Sequence, residues 1–237
     1  MRRALVPLAC VLMACGSPAE PNTLTRQEVE DGWELLFDGR TTSGWRGYGM
    51  AEFPATGWRA QAGELVVLPA GAEGGGIGGD IVTEAVFADF ELVFDFLVTP
   101  VGNSGVFYRV VEHEGEALWQ VAPEFQVLDD SVHVERGSTP VHLTGANYDL
   151  QASAVDASAP IGEWNSARIV VVGSHVEHWL NGQMTVEYEL WSPEWEAQVA
   201  ESKFAPHAHY GRASEGHIGI QDYDREIRYR NIKIRRR

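Results

Sequence analysis

Apolar and polar residues alternate along most of the chain in short runs, a period of two that predicts strands. The runs are WELLF (33–37), ELVVL (64–68), FELVFDFLV (90–98), SGVFYRVV (104–111), EFQVL (124–128), ARIVVVG (167–173), VEHWLNG (176–182), MTVEYEL (184–190), HIGIQ (217–221) and IRYRNIKIR (227–235). Gly, Asn, Asp and Pro clusters separate them, and Asn181-Gly182 is a strong hairpin signal. Only SPEWEAQVAESKF (192–204) reads as a helix, with Ser192 as cap and Pro193 at the first position. GAEGGGIGG (71–79) lacks the GK[ST] ending of a phosphate-binding loop and reads as a flexible connection. So many strands with one short helix predict an all-β fold, two stacked antiparallel sheets of the jelly-roll type.

Alternate residues of a strand point to opposite faces, so parity sorts core from candidate chemistry. Leu92, Phe94, Phe96 and Val98 oppose Glu91 and Asp95, and Phe125 and Val127 oppose Glu124 and Gln126. Val106, Tyr108 and Val110 oppose Gly105, Phe107 and Arg109, while Ile218 and Ile220 oppose His217, Gly219 and Gln221. A solvated face would suffice for any one of these strands. Their polar set, however, is carboxylates, amides and a guanidinium beside glycines, where Thr and Lys are usual on a plain exposed face. Carboxylates and amides hold hydroxyl groups, and an Arg polarises a carbonyl oxygen.

Composition narrows the partners. The formal charge is −16, and −18 once the first 15 residues, with Arg2, Arg3 and no acid, are set aside. Such a surface repels phosphate backbones, which argues against nucleic-acid binding. With 44% hydrophobic residues and eight Trp, the chain has the means to bury a full core. Cys10 and Cys15 are its only cysteines, so the folded domain has no disulfide framework, thiol nucleophile or cysteine metal site. MRR, ALVPLACVL and the small-residue site around Cys15 read as a signal peptide over residues 1–15. Leu12-Met13-Ala14-Cys15-Gly16 resembles a bacterial lipobox, which implies lipidation at Cys15 and a lipid anchor to the membrane of the cell envelope. An ordinary secretory peptide is the alternative. Residues 16–31 read as a tether ending in a helical turn, and 32–237 as one domain.

Other candidates stay open at this level. Asp129, Asp130 and His133 at a strand end suit either a cation or a turn stabilised by Asp side chains. His113, His142, His175, His178, His207 and His209 are scattered without zinc-helix spacing, and His207-Ala208-His209 reads as a solvated loop sooner than a metal grip. Lys203, one of two lysines, is either a ligand anchor or a charge at a helix end.

GWELLFDGRTTSGW (32–45), GGDIVTEAVFADFELVFDF (78–96), GNSGVFYR (102–109), EFQVLDD (124–130), GANYDL (145–150), GEWNSARIVVVGSHVEHWLNG (162–182), SPEWEAQVAESKF (192–204) and GHIGIQDYDREIRYRNIKIR (216–235) together resemble the 3-keto-glucoside lyase/hydratase family, also called the 3-keto-disaccharide hydrolase domain. The resemblance implies a concanavalin-like, lectin-like jelly roll. It also implies a substrate, a glycoside whose C3 hydroxyl a separate sugar 3-dehydrogenase has oxidised. The ketone acidifies the C2 hydrogen; a base removes it, the C1 substituent leaves, and hydration of the 2-hydroxy-3-keto-glucal gives 3-keto-glucose. A divalent metal is a candidate electrophile. Carried over position by position, Glu124 would be base or metal ligand, Arg109 and Lys203 carbonyl and enolate stabilisers, and His133 an acid or ligand. Asp95, Gln126, Gln221 and Asp222 would hold substrate, and Asp129 is the candidate metal ligand. Relatives usually read Gln-Asp-His-Gly where this chain has Gln221-Asp222-Tyr223-Asp224. That departure keeps a non-catalytic glycan-binding module as the alternative. A structural domain of an envelope assembly is a third reading, resting on the tether alone.

Overall fold

The computed structural model describes residues 20–76 and 78–237. The expected signal peptide, Cys15 and the start of the tether lie outside the described residues. Among the described residues, thirteen strands follow one another as β1 (Trp33–Leu35), β2 (Trp45–Gly47), β3 (Trp58–Gln61), β4 (Glu64–Val67), β5 (Ile81–Thr83), β6 (Phe90–Val98), β7 (Asn103–Val110), β8 (Glu124–Leu128), β9 (Trp164–Val172), β10 (His175–Leu180), β11 (Gln183–Glu189), β12 (His217–Ile220) and β13 (Ile227–Arg236). They form two antiparallel sheets packed as a jelly-roll sandwich. The larger runs β11-β10-β9-β6-β13-β4-β3, with β1 on the far half of β13, and the smaller runs β2-β5-β12-β7-β8.

Strand parity builds the core. Leu92, Phe94, Phe96 and Val98 of β6 are buried against the smaller sheet. Phe125 meets Phe94 edge to face at 5.6 Å and Phe96 at 6.4 Å. Phe125 and Val127 therefore point inward, which turns Glu124 and Gln126 to the outer face of the smaller sheet. His178 is also a core residue, bonded to the Tyr108 hydroxyl at 2.9 Å. Burial pushes its pKa down to about 3, so the ring is neutral there.

The local signals explain the rest. Asn181 and Gly182 both take positive φ, 48° and 79°, as a two-residue turn between β10 and β11 requires. Helix α3 (Pro193–Glu201) starts where Ser192 accepts a bond from the Trp195 amide. Two further short helices accompany it. Thr25 and Glu28 close a capping box on α1 (Arg26–Glu30), at the end of the stretch read as a tether. That stretch is pinned to the sandwich, since Asn22 exchanges bonds with Asn231 at 2.6 and 2.8 Å. The stretch after β8, where Asp129, Asp130 and His133 suited either a cation or a turn, continues into α2 (Asp130–Glu135).

Phe125→Ala should destabilise the fold by about 3–5 kcal/mol, because the aromatic cluster leaves a cavity it cannot collapse into. Urea unfolding checks this; a loss below about 1 kcal/mol would mean that the two sheets do not depend on this contact.

Candidate active site

The outer face of the smaller sheet carries a row of side chains across four strands. The registers Ile220↔Ile81, Ile220↔Val106 and Gly105↔Gln126 align Asp80, Gln221, Gly105 and Gln126 on that face. Glu124 stands two residues along β8 on the same face, opposite Phe107, and its side chain lies over Gly105. A Cβ on Gly105 would come 1.9 Å from Glu124 Oε1, so only glycine leaves the carboxyl its place. Asp80 precedes β5, three strand spacings from β8 and two, about 10 Å, from Gly105.

Glu124 is buried, and among the described residues no hydrogen bond reaches its carboxyl. Desolvation pushes its pKa up to about 8, against the opposing pull of Lys203 and with a further push from Asp80. Asp80 is raised to about 6, again mainly by burial, although its Oδ1 accepts from the Asp222 amide at 2.9 Å. Lys203 reaches the site from the chain after α3. Its Nζ lies 4.1 Å from the Tyr148 ring, 4.7 Å from Trp119 and 5.2 Å from Phe204. Burial holds its pKa down, and Glu124 and Asp149 pull the other way. Asp149 fixes this wall by accepting from the Lys203 amide at 3.0 Å and from His142 at 2.7 Å. Burial raises the Tyr148 hydroxyl to about 12, with added repulsion from Glu124, Asp149 and the exposed Tyr223.

The expected site residues divide clearly. Glu124 and Lys203 come together, with Gln126 and Gln221 on the same face, although Gln126 Oε1 is taken by the Val127 amide at 3.0 Å. Asp222 borders the face as a loop clamp, accepting from the Gly78 and Gly79 amides at 2.8 and 3.2 Å. Arg109 does not join them. β7 bulges at Arg109, whose φ is 54°, and parity shifts by one, so that Val110 packs with Phe107 and Val82. The guanidinium instead donates to the Ala88 carbonyl at 3.0 Å and pairs with Asp89. Asp95 lies on the back of the larger sheet, bonded to Asn231 and Arg230. His133, on α2, is beyond the far end of β8, about 17 Å of strand from Glu124. Asp129 stabilises a turn there, with its oxygens taken by Ser131 Oγ at 2.6 Å and the Val101 amide at 2.8 Å.

A cavity of about 660 Å³ opens near that same end, lined by Phe96, Val98, Leu128, Asp130 and Thr144 among others. Among the described residues no Lys, Arg or His lines it, so they offer no cation there to a developing negative charge. The Glu124 face does. Two carboxyl groups, with pKa values of about 8 and about 6, lie on one face with a cation and aromatic rings beside Glu124, an arrangement capable of acid–base chemistry.

That fold and site place the protein among the carbohydrate-active jelly rolls. The family described as 3-keto-alpha-glucoside-1,2-lyase-like domain matches residues 32–235, and the chain belongs to it. It is 34% identical over 242 residues to a 3-keto-disaccharide hydrolase of Bacteroides thetaiotaomicron, covering 92% of this chain and 82% of that one. A crystal structure of a provisionally assigned glycosyl hydrolase from Parabacteroides distasonis superposes with a TM-score of 0.81 at 29% identity, over 91% of this chain and 99% of that one. A second structure from that organism, at 24% identity and a TM-score of 0.69, shares the fold over 86% of this chain and 99% of its own.

The raised pKa of Glu124 has a consequence for stability. Between its unfolded value and about 8 the folded state holds the extra proton, so this contribution is present in acid and is lost as pH rises through about 8. Glu124→Gln should therefore gain stability relative to the parent between about pH 5 and about pH 9, by chemical denaturation. A difference independent of pH would mean that Glu124 is ionised in the folded protein throughout.

Proposed function

We propose that the protein cleaves 3-keto-glycosides by elimination across C1 and C2, followed by hydration. The observation that carries this reading is the pairing of a proton-bearing Glu124 with an ionised Asp80 on one sheet face beside Lys203. The sequence alone pointed to Glu124 as base or metal ligand, but burial argues for the opposite protonation state at neutral pH. Asp80, with the lower pKa, takes the proton from C2, and the electron pair moves into the C2–C3 bond as the C3 oxygen becomes an enolate. Lys203 supplies positive charge for that oxygen. The ketone re-forms as the pair moves to C1–C2, and Glu124 hands its proton to the departing C1 oxygen. Hydration reverses the pattern, with water adding at C1 and a proton at C2. Trp119 and Tyr148 provide apolar faces for the sugar ring. A separate sugar 3-dehydrogenase would supply the ketone. Cys15 would carry the lipid that holds the domain at the cell envelope.

A second reading, a glycan-binding module without turnover, is favoured by Tyr223. It is 58% exposed and close enough to Tyr148 to help raise that hydroxyl's pKa, and an exposed aromatic side chain is suited to stacking on a sugar.

Release of aglycone from a 3-keto-glucoside by the purified protein separates the two. Turnover should be bell-shaped, falling in acid as Asp80 protonates near 6 and in base as Glu124 loses its proton near 8. Glu124→Gln should lower kcat by about 10²–10⁴ while leaving sugar binding in place. Binding without release from either anomer would sink the enzyme and leave the module.

A further inference from the structure

Beside the cleft, outside the residues assigned to the reaction, two histidines and a carboxylate from distant parts of the chain converge. His113 and Glu116 lie on the turn after β7, where the Glu116 amide bonds the His113 carbonyl. His209 comes from the loop after α3, 93 residues beyond Glu116, and its Nδ1 is 2.7 Å from Glu116 Oε2. The His113 and His209 rings stack with centroids 3.7 Å apart and planes within 2°. One donor atom from each residue falls within 4.8 Å of the others.

We propose that His113, Glu116 and His209 bind a divalent transition-metal ion of the zinc class. Two imidazoles and one carboxylate are the borderline donor set that zinc-class ions select over calcium or magnesium. Side-chain rotation alone would bring the donors onto one ion, because all three residues are at least partly open to solvent. The turn itself reads Glu112-His113-Glu114-Gly115-Glu116, so the surrounding charge draws cations in a protein of net charge −16. The trio is separate from Asp129, whose oxygens serve a turn.

The ion would act as a clamp. Trp119 follows the first loop and packs against His207 of the second at 5.1 Å between ring centroids. Lys203, on the stretch leading into the second loop, faces the same Trp119 ring. Tying His113 and Glu116 to His209 thus fixes two walls of the cleft relative to each other, with no part in bond-making.

The test uses the full chain carrying Cys10→Ser and Cys15→Ser, so that no thiol competes, stripped with chelator and titrated calorimetrically with zinc chloride. One ion per chain should bind and raise the melting temperature. His113→Ala and His209→Ala should each weaken binding by more than about tenfold while melting like the parent without metal. His207→Ala and His175→Ala should bind as the parent does. No saturable binding by the parent, binding undiminished in His113→Ala and His209→Ala, or equal loss in His207→Ala would each overturn the assignment. The readout is binding, so it stands or falls independently of turnover.

Discussion

The carboxyl of Glu124 fills the space that any side chain at position 105 would need, and much of the molecule serves to keep it there. Phe125 and Val127 anchor β8 to the core on one side, which leaves Glu124 no direction but outward. The strand is then covered at its free edge by the segment 145–148, through the bonds Gly145 amide to Gln126 carbonyl and Tyr148 amide to Glu124 carbonyl. The same segment brings Tyr148 within the electrostatic reach of the carboxyl, and the next residue, Asp149, accepts from the Lys203 amide. Removal from water, with one cation nearby and no hydrogen-bond donor among the described residues, makes the protonated acid the stable form at neutral pH.

The two sheets treat charge in opposite ways. On the back of the larger sheet, Glu91 is matched by Arg168, Arg235 and Arg237, so its pKa is held below the usual carboxylate value despite its burial. On the face of the smaller sheet, Glu124 has Lys203 as its cation, Asp80 has the Asp222 amide, and burial raises both. Saturating a carboxylate with guanidinium groups makes an inert structural anchor. Starving it of them leaves a group that still exchanges its proton near neutrality.

Much of the architecture was legible in the sequence because long strands advertise their period. FELVFDFLV and EFQVL match β6 and β8 end to end, and Asn-Gly marks its hairpin. β2 and β5, each three residues long, are too short to show any period, and Asp80 went unnoticed as the residue before β5. Parity placed Glu124, Gln126 and Gln221 on one face, yet failed for Arg109, because one bulge turns every later side chain over. Asp95 shows the other limit, since alternation separates two faces of a strand but does not say which sheet the strand joins. Lys203 and His209 meet their partners only through the long connection after α3, and no spacing in the chain foretells such contacts.

The most direct test of this account is the titration of Glu124 itself, followed by carbon-13 NMR of the glutamate carboxyls and assigned by comparison with Glu124→Gln. The account predicts one carboxyl that titrates near 8, well apart from the remaining glutamates. A Glu124 resonance that titrates in the ordinary carboxylate range, about 4–5, would contradict it and remove the proton donor on which the proposed chemistry rests.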